Sequence, residues 1–315
     1  MTPRPQQDRT RQDRPHRNRP DRNRPRPKGP GHNPVARAAL HAFLVLTCLA
    51  TLAPLLWALY ASLRTYDDTA RNGYFSLAES LTFDNFTNAW TQADLPHYYL
   101  NTLVVTLPAL VLVLLLSSMV AFGLTRFSFR FNLVLLMLFT AGNLLPQQVI
   151  VTPLWRLYLL TPVPEWLSDS GVLLDSQLGL VLIHVAFQSG FCVFVLSNYM
   201  KTIPHELSEA ARVDGAGVFR QYWQVILPLC RPALAALATL EFTWIYNDFL
   251  WALVLIQTGD KMPITSALQN LKGTFFVDNN LVAAGSLLVA LPTLVVFFVL
   301  QRHFIGGLTL GSTKG

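Results

Sequence analysis

Glu209-Ala210-Ala211-Arg212-Val213-Asp214-Gly215-Ala216, followed twelve residues after the glycine by Leu227-Pro228, is a polar, helix-forming island between two long apolar runs. Pro204 suits the first turn of a helix, where its missing N–H costs nothing. Leu207, Ala210, Ala211 and Val218 recur at roughly helical spacing. Gly215 permits a sharp bend, and Val218, Phe219, Tyr222, Trp223 and Ile226 make a second apolar stripe beyond it. The pattern predicts two short amphipathic helices joined at a glycine. Such a pair either presents a knob to something outside the membrane or lies flat on the lipid surface.

The surrounding chain is a membrane protein by composition. Of its 315 residues, 52% are hydrophobic and 13% charged, against about 25% charged in soluble domains. The net charge of +6 is uneven: residues 1–37 hold ten Arg, one Lys and three Asp, a net of +8, and the rest nets −2. That tail also has eight prolines and no aromatic residue, so it cannot bury a core and reads as a disordered cytoplasmic tail facing lipid. No folded module or stacking ring accompanies its arginines, which sets nucleic acid aside as a partner. Cys48, Cys192 and Cys230 sit far apart, in or beside apolar runs. They read as small packing residues, not as a disulfide framework or a metal site.

Six apolar runs are long enough to cross a bilayer, which takes about 20 residues. They lie near 38–62, 99–124, 131–152, 178–199, 229–257 and 281–303. The expected fold is therefore all-α, a polytopic membrane protein with six transmembrane helices in residues 38–315. Pro108, Pro146 and Pro292 are expected to kink their spans, and the segment with Pro162, Pro164, Glu165, Trp166, Asp169 and Gly171 reads as an ordered external loop. Basic residues orient the bundle. Arg126 and Arg130 stand in a loop without acids, and Lys201, Arg212, Arg220 and Arg231 surround the opening motif. Residues 63–98 instead hold two Arg against five acids, and 153–177 one Arg against three. The excess of Lys and Arg puts both termini and residues 202–227 in the cytoplasm.

No phosphate loop, H-E-x-x-H or G-x-S-x-G is present. No catalytic residue, metal or bound cofactor is expected on this chain. Candidate polar residues lie within the spans, where burying a charge costs about 2.5–3.5 kcal/mol. Glu241 comes near mid-membrane in the fifth span, with Asn247 and Asp248 further outward. At helical spacing Glu241, Trp244, Asp248 and Trp251 share a stripe, expected to face a cavity or a partner. Rings stack on sugar faces and amides bond hydroxyls, so Trp244, Asn247 and Trp251 suit a saccharide path. A polar clamp between helices explains Asn247 and Asp248 equally well. His184 and Gln188, four apart on the fourth span, read as a helix-packing pair; Asn101 reads as packing and His303 as interfacial.

The opening motif resembles the EAA loop of binding-protein-dependent ABC importers, whose pattern is E-A-A, three residues, G, nine residues, I, one residue, L-P. Glu209, Ala210, Ala211, Gly215, Leu227 and Pro228 match, and Val225 stands at the isoleucine position. Asn247-Asp248-Phe249-Leu250-Trp251, Leu291-Pro292, Gln301-Arg302 and the end Gly311-Ser312-Thr313-Lys314-Gly315 resemble the maltose-type, sugar-importing branch. The resemblance covers residues 38–315 and implies an inner-membrane permease of bacteria. It implies a second, homologous permease beside it, two ATP-binding subunits that hold ATP and Mg, and an extracytoplasmic sugar-binding protein. Glu209, Ala210, Ala211, Asp214 and Gly215 would sit in a cleft of the ATP-binding subunit. Glu241 departs from an apolar position of that family. A proton-coupled secondary transporter using Glu241 or Asp248 is the alternative, and an inverted repeat between halves, its discriminating signature, is not evident.

Overall fold

The computed structural model describes residues 34–128, 130–271 and 277–309, except the side chains of 267, 270 and 302–309. The tail before residue 34, the Arg302 and His303 side chains and residues 311–315 lie outside the described set. The described residues fall into two units that divide between Ala53 and Pro54. Helices α1 (Pro34–Ser62), α2 (Tyr66–Asn72), α3 (Asp84–Gln92), α4 (Leu95–Arg126), α5 (Asn132–Leu144), α6 (Gln147–Leu160) and α7 (Gln177–Lys201) come first. Then follow α8 (Glu206–Val213), α9 (Val218–Arg220), a π-helical stretch (Gln221–Ile226), α10 (Leu227–Leu229), α11 (Arg231–Tyr246), α12 (Leu250–Leu255), α13 (Ile264–Ala267) and α14 (Asn279–Thr309). The fold is all-α; isolated bridges at Arg64–Leu81 and Pro162–Val172 are the β pairings recorded among the described residues.

Among the described residues, four helices are long and apolar enough to cross a membrane: α1, α4, α7 and α14. Two bent pairs, α5 with α6 and the Val218–Leu229 run with α11, raise the number to at most six if each counts as one span. The third expected span is not one helix. Proline disfavours helical geometry in the residue before it, and at Leu145-Pro146 the chain turns by 96° from α5 into α6. Pro108 and Pro292, by contrast, lie inside unbroken helices. The fifth expected span, 229–257, is also broken: α11 stops at Tyr246 and α12 starts at Leu250. Sixteen helical residues reach about 24 Å, short of a hydrocarbon core of about 30 Å, so α11 does not span alone.

Helices α4 and α7 form the most extensive helix pair among the described residues. Their contact supports two apolar clusters, one around Leu180, Ile183, Trp251 and Leu255, the other around Cys192, Leu196, Tyr222 and Ile226. The opposite faces are apolar and bare, as at Leu133, Val134 and Leu138 on α5 and Phe298 and Val299 on α14. Such surfaces belong against lipid or another membrane subunit. Close approach depends on glycine at one point in particular. A Cβ at Gly190 of α7 would overlap the Phe139 carbonyl oxygen of α5. Gly190→Val should therefore destabilise the subunit by about 1–3 kcal/mol, whereas Gly142→Ala, with nothing within 4 Å, should be neutral. Melting of the purified subunit in detergent decides it, and equal melting temperatures would contradict the packing described.

The connecting segments are pinned by ions. Arg64, 1% exposed, donates from Nε to Asp68 and from Nη1 to the carbonyls of Gly73, Tyr74 and Ser76. Asn280 at the start of α14 donates to the Ala61 and Arg64 carbonyls and to Thr69. The expected loop after the third span is ordered: Pro162 bridges Val172, and Gly171 takes a left-handed φ of 67°.

Asp175, ahead of α7, accepts from the amides of Gln257 and Thr258 and from the Thr258 hydroxyl at 2.6–2.9 Å. Burial works against its carboxylate, but the Thr258 and Gln257 hydrogen bonds and nearby Lys261 outweigh it and hold the group below its ordinary range. A lowered folded value means the clamp is at full strength above the ordinary carboxylate value of about 4 and is lost as pH falls through the lowered one. Hydrogen-exchange protection at Gln257 and Thr258 should accordingly hold down to about pH 4 and collapse only as pH falls further, through the lowered value. It should already be weak at neutral pH in Asp175→Asn. Protection unchanged by both treatments would remove Asp175 as the clamp.

Candidate functional site

Irregular backbone at membrane depth survives only where it is buried in protein or lines a cavity. The two broken spans meet that condition together. The α5–α6 break contributes Asn143 and Gln147, and the α11–α12 break contributes Asn247 and Asp248, to one cavity of about 420 Å³. Helix α7 adds His184 and Gln188, one turn apart. Phe187, Trp244, Phe249 and Trp251 supply the aromatic walls. Six amide, imidazole and carboxylate side chains against rings make a surface that can bond hydroxyls and stack on apolar ring faces.

Asp248 organises the second break. Its carboxylate accepts from the amides of Trp251 at 3.4 Å and Ala252 at 3.1 Å, capping α12. Short polar side chains favour this cap because it satisfies donors that a helix start leaves unpaired. Oδ2 also lies 3.8 Å from His184 Nε2, and the Asp248 carbonyl accepts from Thr265. Asn247 donates to the Thr243 carbonyl. Trp251 is 1% exposed and packs on Phe187 with centroids 5.4 Å apart, while Trp244 meets Phe191 edge-on at 5.3 Å.

Several expectations change here. The single stripe through Glu241, Trp244, Asp248 and Trp251 does not exist, because the break at 247–249 ends the helical register. Trp244, Asn247, Asp248 and Trp251 do reach the cavity, but Glu241 does not. Glu241 is 0% exposed, with Oε1 accepting from Cys192 Sγ at 3.2 Å and Oε2 without a partner among the described residues. His184 and Gln188, read from sequence as packing residues, line the cavity. Asn143 and Gln147 escape the sequence reading; their place on either side of Pro146 is the available signal. Asn101 does pack, donating to the Asp260 and Met262 carbonyls and accepting from Gln177.

Residues 202–227 form a separate feature. Helix α8 ends in a Schellman arrangement: the Gly215 amide donates to Arg212, the Ala216 amide to Ala211, and Gly215 has φ 78°. That left-handed turn reverses the chain into α9, as the glycine led one to expect. Glu209, Ala210 and Asp214 are exposed and Ala211 half-buried. Val213, Val218 and Phe219 stand 88%, 52% and 69% exposed, an apolar surface with polar neighbours. Leu227 and Pro228 lie in α10, and the chain then bends by 75° at Cys230 into α11.

The family of binding-protein-dependent transport system inner membrane components matches residues 92–307, which hold both breaks and the 202–227 segment. The chain belongs to this family. It is 33% identical over 279 residues to the diacetylchitobiose uptake system permease protein NgcG of Streptomyces coelicolor, covering 88% of this chain and 89% of the relative. To the melibiose/raffinose/stachyose import permease protein MelC of Bacillus subtilis it is 30% identical over 236 residues, with 75% and 82% covered. Among solved structures it resembles a chain of a bacterial ABC transporter for import of the acidic polysaccharide alginate. The TM-score is 0.73 at 22% identity, over 86% of this chain and 97% of that one, a likeness of fold. As a family member, the chain is a membrane transport component and not a catalytic subunit.

Proposed function

We propose that this chain is one of two permease subunits of an ATP-driven importer and that its cargo is a di- or oligosaccharide. One observation carries the reading: the chain breaks between α5 and α6 and again between α11 and α12, and both breaks bring amides and a carboxylate to the aromatic wall of one cavity. The saccharides named for NgcG and MelC support the cargo class. A second, homologous permease would close the open side of this cavity, and an extracytoplasmic binding protein would deliver the sugar. Both termini and residues 202–227 face the cytoplasm. There Glu209 to Gly215 enter a cleft on a separate ATP-binding subunit, which carries ATP and Mg. Closure of those subunits turns the cavity outward because nucleotide binds the two states unequally.

The experiment is reconstitution of the two permeases, the ATP-binding subunit and the binding protein in vesicles, with labelled diacetylchitobiose, maltose, melibiose and raffinose tested beside a panel of amino acids. ATP-dependent uptake of at least one saccharide and of no amino acid is the expected result. Uptake driven by a proton gradient without ATP would overturn the reading in favour of a secondary transporter.

A further inference from the structure

Apolar contacts between helices are non-directional and let surfaces slide, whereas a buried hydrogen bond in a low-dielectric interior fixes a distance. Two polar ties, the first buried and the second part-buried, join the 202–227 region to α4. At the first, the Tyr222 hydroxyl, on a residue 3% exposed, lies 2.6 Å from Ser118 Oγ. Ser118 gives its own proton to the Leu115 carbonyl at 2.9 Å, so Tyr222 is the donor. Tyr222 stands in the π-helical stretch Gln221–Ile226, a rare geometry that is frequent at functional sites.

At the second tie, Arg126 in the last turn of α4 donates from Nη2 to the Met200 carbonyl on α7 and to the Ile203 carbonyl, both at 3.1 Å. Ile203 opens the run into α8. The remaining Arg126 donors Nε and Nη1 are buried without an acceptor among the described residues. A buried donor left unmade costs about 1–3 kcal/mol, so spare donors here call for a use in another arrangement. Helix α7, packed along α4, carries His184 and Gln188 into the cavity.

We propose that Tyr222 and Arg126 are the positioning residues through which displacement of the 202–227 region reaches the cavity. The Tyr222–Ser118 bond carries α4 with that region. Arg126 exchanges carbonyl partners, using its spare donors, as the Met200–Ile203 corner shifts. The inference rests on the reading of 202–227 as the point driven by the ATP-binding subunits.

The test uses the assembled complex in vesicles. Cys48→Ser removes the exposed native thiol, Cys192 and Cys230 being buried, and Gln188→Cys reports the cavity to a small methanethiosulfonate. The readout is the change in labelling rate between the nucleotide-free and vanadate-trapped complexes, divided by the ATP hydrolysed. Tyr222→Phe and Ser118→Ala should each reduce this ratio about fivefold, the worth of one hydrogen bond. The double variant should go no further, because both remove the same bond. Arg126→Met should lower it as much, with Arg126→Lys restoring part. An unchanged ratio in Tyr222→Phe and Ser118→Ala overturns the proposal, and so does an unchanged ratio accompanied by lower melting temperatures, which would assign both residues to packing. A parent Gln188→Cys complex whose labelling ignores nucleotide overturns the drive-point reading itself.

Discussion

Gly215→Val is expected to cut ATP-driven uptake about tenfold or more while the subunit remains inserted in the membrane at its normal level. The glycine sits at φ 78° with nothing within 4 Å of an added Cβ, so the penalty is conformational and not a clash. A left-handed backbone costs an L-residue about 1–2 kcal/mol, and a β-branched one more. Relief comes by unwinding the Schellman turn, which would move Val213 and Asp214 away from α9 and misplace the surface proposed to meet an ATP-binding subunit. Each 1.4 kcal/mol is a factor of about ten. Gly215→Asn should keep most of the activity, because Asn tolerates the left-handed region. Uptake rates and membrane levels of the three proteins are the measurement. Equal uptake by Gly215→Val and wild type would mean that the turn has no part in coupling.

Asp248→Ala is expected to be of similar size, for a different reason. It removes the cap on α12, worth about 1 kcal/mol. It also takes away the carboxylate 3.8 Å from His184 in the cavity wall. Uptake should fall about tenfold, with a rise in the half-saturating concentration of binding protein carrying sugar. Asp248→Asn keeps an acceptor for the Trp251 and Ala252 amides and should retain a substantial part of the rate. If Asp248→Ala matched wild type while Gln188→Ala and Asn247→Ala also did, the cavity would not be the path of the cargo.

Much of this was legible in the sequence because membrane burial writes a strong signal. Hydropathy located α1, α4, α7 and α14 within a few residues, and the glycine after an Ala-rich polar helix announced the turn at 215. The site was less legible. Leu250–Leu255 continues the apolar run of α11 without a change in composition, so a hydropathy reading joins them. The break is held by one local and one more distant contact: the Asp248 carboxylate caps α12, and Thr265 holds the Asp248 carbonyl. With the register lost there, Asp248 and Trp251 no longer continue the α11 stripe, and Glu241, still within α11, is found against Cys192. An Asp three and four residues ahead of Trp251 and Ala252 was the one local hint of a helix start.

Residues 202–227 are held to be the contact through which a separate ATP-binding subunit drives this chain, and cross-linking tests that most directly. Val213→Cys and Phe219→Cys, at positions 88% and 69% exposed, can each carry a benzophenone photoprobe in the assembled importer in inside-out vesicles. Both should couple to the ATP-binding subunit, with yields that change when ATP is trapped. Photoproducts with lipid or the binding protein alone, at both positions in a complex that hydrolyses ATP, would contradict it.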